Sequence, residues 1–364
     1  MFSYIRVGCF LLAPLLLTMS TSAQQNTQNS QIPAQYASSG MQSAYAGNNR
    51  IDLNVVVTAK SGAPVGDLKQ QDFTLLNNKT PQTITSFKAV TAREAPIEVM
   101  LVIDAINADY EGIGYERTQV DKFLRAEGGN LGYPIALAIV TDKGPQLLGQ
   151  FSNDGNALSA ELSKTEVALR SIPRSTGNWG AAERLKLSIK SLGELAVLEA
   201  PRPGRKIMIW VSPGWPLLSG PQSDIYQDQK RIFENIVQVS SLLLQANVTV
   251  YSVNPSGNTE SLSRVSYYKS FLKGMSNPSK VEMGDLGLPV LAFQSGGLVL
   301  NFNNDVAELL QRCIADAAPY YRISFVPAPS DKRDEYHELE IKLADPALTA
   351  RTRQGYYAQP LAHD

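Results

Sequence analysis

Few residues in this chain have the types and spacing that support chemistry. Two histidines, His337 and His363, and two cysteines, Cys9 and Cys313, stand among 364 residues. That scarcity excludes Cys/His zinc sites, CxxC redox pairs and disulfide scaffolds. Nucleophilic catalysis needs a base beside the nucleophile. His337 is expected at an exposed strand position and His363 in the terminal tail, neither within reach of Ser212 or Cys313. Cys313 lies in a helical stretch, Asp305 to Ala317, that reads as core-facing, so its thiol is expected to be buried and inert. Gly296-Gly297 precedes a strand and not a helix, so it does not form a phosphate-cradling loop. Asp331, Asp334 and Glu335 read as a solvated turn. Three acids are left to consider: Asp104, which follows an apolar strand in Asp104-Ala105-Ile106-Asn107-Ala108, and the nearby Asp109 and Asp142. We expect no enzyme; a hydrolase would need two acids, such as Asp104 and Asp142, converging in one pocket.

Bulk composition narrows the partners. Lys+Arg total 33 and Asp+Glu 34, a formal net charge of −1, which argues against a broad nucleic-acid or anionic-lipid surface. Hydrophobic residues make up 43% and charged residues 18%, a globular balance.

The elements that must position Asp104 have a recognisable grammar. Four segments are apolar on both faces and end at a polar residue: Ile97–Ile103 before Asp104, Ile135–Val140 before Thr141, Ile207–Val211 before Ser212, and Val248–Val253 before Asn254. Such strands belong in parallel sheets covered by helices. Leu185, Ile189, Leu192 and Ala196 mark one helix face, from about Ala181 to Glu199. Ile232, Ile236, Val239 and Leu243 mark another, with Ser223-Asp224 as N-cap material. The alternation predicts a doubly wound, mostly parallel α/β sheet over 96–318, whose ligands bind at the strands' carboxyl ends.

The flanks follow period two. Ile51, Leu53, Val55 and Val57 alternate with polar residues, and Asp72–Leu76 and Thr83–Phe87 read as two more short strands. Tyr321, Ile323 and Phe325, then Leu339, Ile341 and Leu343, alternate likewise, and Thr349–Ala358 offers a last strand. We expect 51–92 and 319–358 to meet as a small β-sandwich around the inserted α/β domain. Residues 1–23 read as a secretory signal: Arg6, an apolar run Val7–Leu17 and small residues Thr21-Ser22-Ala23. Residues 24–49 lack charge and period and read as a flexible polar linker. After cleavage no membrane span is expected, and the destination is secreted, periplasmic or envelope.

The strand Val99–Ile103 running into Asp104 resembles the first strand of a von Willebrand factor type A (vWA) domain. The order of motifs from about Ile51 to Ala358 resembles the exported VWFA-related proteins abundant in Acidobacteria: Gly66-Asp67-Leu68 with Asp72-Phe73, Pro203-Gly204-Arg205-Lys206 before an apolar strand, and the ending Arg351-Thr352-Arg353-Gln354-Gly355-Tyr356-Tyr357. The resemblance implies a metal-ion-dependent adhesion site with Asp-x-Ser-x-Ser in the first loop, a Thr in the second and an Asp in the third, usually holding magnesium. Here Ile106 and Ala108 replace the two serines, Thr176 is the counterpart of the Thr, and Ser212-Pro213-Gly214-Trp215-Pro216 lacks the acid. Asp104 and Thr176 alone would make a weak or lost Mg²⁺ site, because magnesium needs near-octahedral order.

Two features near the expected binding face carry side chains suited to a partner. Trp215, with Leu217 and Leu218, lies in a stiff apolar loop that either anchors a partner or folds back over the sheet edge. Ser263–Ser295, with Tyr267-Tyr268, reads as an insertion that caps the same face or makes a surface excursion. We therefore expect a non-catalytic protein-interaction module of adhesion type, with Asn107, Ser212 and Trp215 as partner-binding residues and no cofactor. The alternative is an envelope-associated scaffold whose strand-end face is vestigial.

Overall fold

The computed structural model describes residues 50–91, 97–165, 178–216, 225–257, 266–301 and 303–360. The signal and linker readings, the capping pair Ser223-Asp224, Leu217, Leu218, Thr176 and His363 all lie outside the described residues.

Strands β1 (Ile51–Ala59), β2 (Phe73–Asn77), β3 (Thr80–Gln82) and β4 (Ser86–Val90) open the described chain. The central sheet uses β5 (Ile97–Asp104), β6 (Asn130–Thr141), β7 (Gly144–Asp154), β8 (Arg205–Val211), β9 (Val248–Val253) and β10 (Val299–Leu300). Strands β11 (Tyr320–Phe325), β12 (Glu335–Leu343), β13 (Leu348–Arg351) and β14 (Gly355–Ala358) close it. The described helices are α1 (Tyr110–Leu124), α2 (Gly155–Lys164), α3 (Asn178–Glu199), α4 (Ile225–Gln245), α5 (Leu288–Gln294) and α6 (Val306–Ala315).

The six-stranded sheet runs β10-β9-β8-β5-β6-β7, parallel throughout except for the antiparallel edge strand β7. This is the doubly wound order, with its switch point between β5 and β8, and the architecture is vWA/Rossmann-like. Both faces are covered. Ile103, Val211 and Val253 pack with α1 and α6 residues such as Val120, Leu310 and Cys313, while Met100, Val102 and Trp210 pack with α3 and α4 residues such as Leu192 and Val239. Burial on both faces explains why Ile207–Val211 of β8 is an unbroken apolar run and why β9 is nearly so.

Register aligns the strand ends. Ile103 lies beside Val211, Val211 beside Val253, and Val253 beside Leu300, while Asp104 lies beside Val140. Asp104, Thr141, Ser212, Asn254 and Asn301 therefore sit along one edge of the sheet.

The terminal strands form two four-stranded antiparallel sheets, β13-β1-β11-β4 and β14-β12-β2-β3. Leu53, Val55, Phe73, Leu75, Tyr321, Ile323, Phe325 and Leu339 fill the space between them, so the two sheets make a small β-sandwich. Two strand readings are corrected. Thr83–Phe87 is not one strand: the chain turns at Asn78 and Lys79, both at positive φ, to make β3, and β4 starts only at Ser86. Thr349–Ala358 is two strands, because the chain leaves β13 in one sheet and enters β14 in the other.

His337 is also corrected: it is not exposed. It shares parity with Leu339 on β12, and its ring lies 5.1 Å from that of Tyr356 with Nδ1 3.1 Å from Asn77 Oδ1.

Candidate functional site

The edge at the switch point is built around Asp104. Its carboxylate is fully buried and accepts four hydrogen bonds. Oδ1 accepts from the backbone N–H of Ile106 at 3.0 Å and of Asn107 at 3.1 Å. Oδ2 accepts from Asn107 Nδ2 at 2.8 Å and from Trp210 Nε1 at 3.0 Å. The reach of Trp210 follows from register: it pairs with Val102 on β5, and Asp104 is two residues further along the same face. Asn107 Nδ2 also donates to Ser188 Oγ at 2.9 Å, tying the loop to α3. The reverse amide orientation would set a carbonyl oxygen against the carboxylate, so these contacts fix it.

This donor set does not fit magnesium. The four N–H groups point their hydrogens at the oxygens a cation would need, and Ile106 and Ala108 carry no side-chain oxygen. Asp109 does not supplement the site; it caps α1 by accepting from Gly112 N–H at 2.8 Å. Asp142 is exposed in the β6–β7 turn. Among the described residues, no group of three or more His, Cys, Asp or Glu side chains could hold a metal ion. Asp104 thus orders its own loop, the structural alternative to ligation.

Glu116 on α1 was not singled out by the sequence. It is fully buried, and neither of its carboxylate oxygens has a hydrogen-bond partner. Burial first, then the charges of Asp104 and Asp109, push its carboxyl well above the usual range.

Beside Asp104 the strand ends enclose a cleft of about 580 Å³. Asn107, Arg184, Ser212, Trp215, Tyr267 and Tyr268 are among the residues that line it. The volume is within the range of small-ligand pockets. Trp215 is buried, at 5% exposure, and packs edge-on against Trp210 with ring centroids 5.4 Å apart. Of the two orientations open from the sequence, the ring has folded back, and it lines the cleft without projecting from it. Gly214, at φ +111°, makes that return possible, since a side chain would strain the turn. Ser212 N–H donates to Val253 O at 3.0 Å, and Ser212 Oγ accepts from Gly214 N–H at 3.1 Å. The insertion reaches the cleft through Tyr267 and Tyr268, so it caps this face. Further along it packs Val281 and Leu286 against Ile236 and Tyr357.

No Asp, Glu, His or Cys stands among the cleft's described lining residues, so no general base there faces Ser212. Cys313 is fully buried in α6, and burial pushes its thiol far up.

The opposite edge carries a second group the sequence only hinted at. Arg205, from the Pro203-Gly204-Arg205-Lys206 motif, is buried and donates to Ala317 O at 2.7 Å and to Tyr251 Oη at 3.0 Å. Arg351 of β13 donates from one nitrogen, Nη2, to both carboxylate oxygens of Asp316 at 2.5 Å, while its Nη1 donates to the Gly296 carbonyl. The Arg205 contacts lie within the α/β body, and the Arg351 contact ties β13 of the sandwich to Asp316 at the end of α6.

No family model matches the chain, and no curated protein matches it. Among solved structures it is similar to the conserved hypothetical protein BatB from Bacteroides thetaiotaomicron, at 10% identity over 61% of this chain and 98% of that one, TM-score 0.33. It is similar also to the SpRpn10 VWA domain, at 12% identity over 61% and 97% with TM-score 0.28. A third is the PilB minor pilin from Streptococcus sanguinis, at 14% identity over 61% and 60% with TM-score 0.32. The fold class rests on strand order and connection, not on these likenesses. No helix among the described residues is long and apolar enough to cross a membrane.

Proposed function

We propose that this chain is an exported, non-catalytic interaction module that takes a protein partner at the strand-end cleft, without a metal. The observation that carries this reading is the cleft itself. It lies at the switch point, it has room for a ligand, and its described lining is aromatic, amide and hydroxyl side chains with Arg184 and without Asp, Glu, His or Cys. Asn107, Ser212 and Trp215 serve as its floor, Trp215 as a fixed aromatic surface and not as a protruding anchor. Export is supported by the signal-like residues 1–23.

The test fills the cleft. Ala181 lines it from α3 and is only half-buried, so Ala181→Trp blocks the space with little cost to the core. Folded protein is panned against a phage-displayed random peptide library in EDTA. We expect retained clones that bind wild type and lose Ala181→Trp. Clones that bind both proteins equally would overturn the cleft as the docking face.

A further inference from the structure

Helix α3 is tied to the central sheet at both ends. At the cleft end, Asn107 Nδ2 donates to Ser188 Oγ. At the other end, Glu199 is the last residue of α3 and meets the amino ends of β5 and β8. Glu98 of β5 and Lys206 of β8 are register partners there. Both lie on the α3 face of the sheet, since Met100 and Met208, two residues further on, pack with Leu192 and Leu195.

The contacts in this space divide unevenly. Arg202, in the turn between α3 and β8, donates from Nη1 to Glu98 Oε1 at 2.8 Å, and its guanidinium lies 4.2 Å from the ring centroid of Phe151 on the edge strand β7. Lys206 Nζ donates to two backbone carbonyls, Glu199 O at 3.2 Å and Arg202 O at 2.6 Å, and so closes the last turn of α3. The Glu199 side chain is only 3% exposed, its Oε1 is buried without a hydrogen-bond partner, and Arg202 Nε stands 3.9 Å from that oxygen. An ionised carboxylate held this way, at the negative end of a helix, is costly, whereas a protonated one carries no charge to desolvate.

We infer that Glu199 is a proton-operated latch at the foot of α3: protonated, it leaves Arg202 on Glu98 alone, and ionised, it draws Arg202 Nε into a charge-assisted hydrogen bond, so that one guanidinium bridges two carboxylates. The proton passes to solvent, and the guanidinium needs to move only about 1 Å to make the new bond. The charged groups facing Glu199 are Arg202 from the turn, Glu98 from β5 and Lys206 from β8, while β7 brings the Phe151 ring to Arg202. Burial pushes the Glu199 carboxyl up to about 7, against the pull of Arg202 and Lys206 and with Glu98 adding to the rise. The latch therefore works around neutral pH, and because Arg202 lies over Phe151, it changes how this turn grips the sheet edge. It is independent of what the cleft binds.

The experiment follows the ¹H–¹⁵N resonance of Arg202 Nε from pH 5 to pH 9, assigned by its loss in Arg202→Lys, with folding of each variant checked by its thermal transition. We expect a one-proton shift with its midpoint near pH 7. At pH 8 the Nε proton should exchange with solvent about tenfold or more slowly than in Glu199→Gln, and at pH 5.5 the two should exchange alike. Glu199→Gln should abolish the shift. Glu98→Gln should keep it and move the midpoint to lower pH, because a competing negative charge is gone. A wild-type midpoint near the ordinary carboxylate value, or no shift across this range, would overturn the latch whatever the variants do. A shift that survives Glu199→Gln, or a midpoint unmoved by Glu98→Gln, would overturn it as well.

Discussion

The indole N–H of Trp210 donates to Asp104 Oδ2 at 3.0 Å, with both side chains fully buried at the switch point of the central sheet. Trp210 comes from β8 and Asp104 from β5, so this bond crosses the seam where a doubly wound sheet reverses its order. Together with the Ile106, Asn107 and Asn107 amide contacts, it makes Asp104 the hydrogen-bond hub of the loop that shapes the cleft.

The hub has a stability consequence. Asp104→Ala leaves the N–H groups of Ile106, Asn107 and Trp210 without their acceptor in a buried site, and we expect a loss of about 2–4 kcal/mol. Trp210→Phe removes one charge-assisted bond and should cost about 1.5–3 kcal/mol. Urea unfolding midpoints at constant slope measure both. An Asp104→Ala protein as stable as wild type would show that the carboxylate is not holding the loop.

Glu116 gives a pH dependence of definite sign. Its folded carboxyl is held above the unfolded value by burial and by Asp104. The folded state therefore binds the proton more tightly than the unfolded state. This contribution is fully present below the unfolded value and is lost as pH rises towards the folded one. Glu116→Gln removes the dependence. The stability of Glu116→Gln relative to wild type should rise from its value at pH 4 as pH increases, by at most about 1.4 kcal/mol per unit. A difference that stays flat from pH 4 to pH 8 would mean that Glu116 is ionised in the fold.

Arg351 and Asp316 couple the sandwich to the α/β body. Arg351→Ala leaves a largely buried carboxylate without its cationic partner, and we expect about 2–4 kcal/mol of destabilisation, read by thermal or urea unfolding. Asp316→Asn should cost comparably. If neither moves the transition, the sandwich is held by apolar packing alone.

The mostly apolar strands β5, β8 and β9 were legible because burial on both faces leaves a long apolar run in each. Strand β7 was not, because it is an exposed edge: Gly144, Gln146, Gly149 and Gln150 dilute its alternation. Helix α1 was missed because its inward stripe includes Glu116, a charge at a core position. Asp104 stood out at the end of its strand, but its main donor did not. Within an apolar strand Trp210 looks like any core residue, and only the register with Val102 brings its N–H to Asp104. Arg184 was equally silent, since a lone arginine on a helix reads as solvated until the cleft around it is seen.

The proposal that this face works without a metal is tested most directly at the Trp210 indole. Its ¹H–¹⁵N resonance, assigned by its disappearance in Trp210→Phe, is followed while Mg²⁺ is added. We expect a signal that exchanges slowly with solvent and does not shift with saturation up to millimolar magnesium, because Asp104 keeps its four N–H donors. A saturable shift at micromolar Mg²⁺, with faster exchange of the indole proton and abolished by Asp104→Ala, would contradict the account.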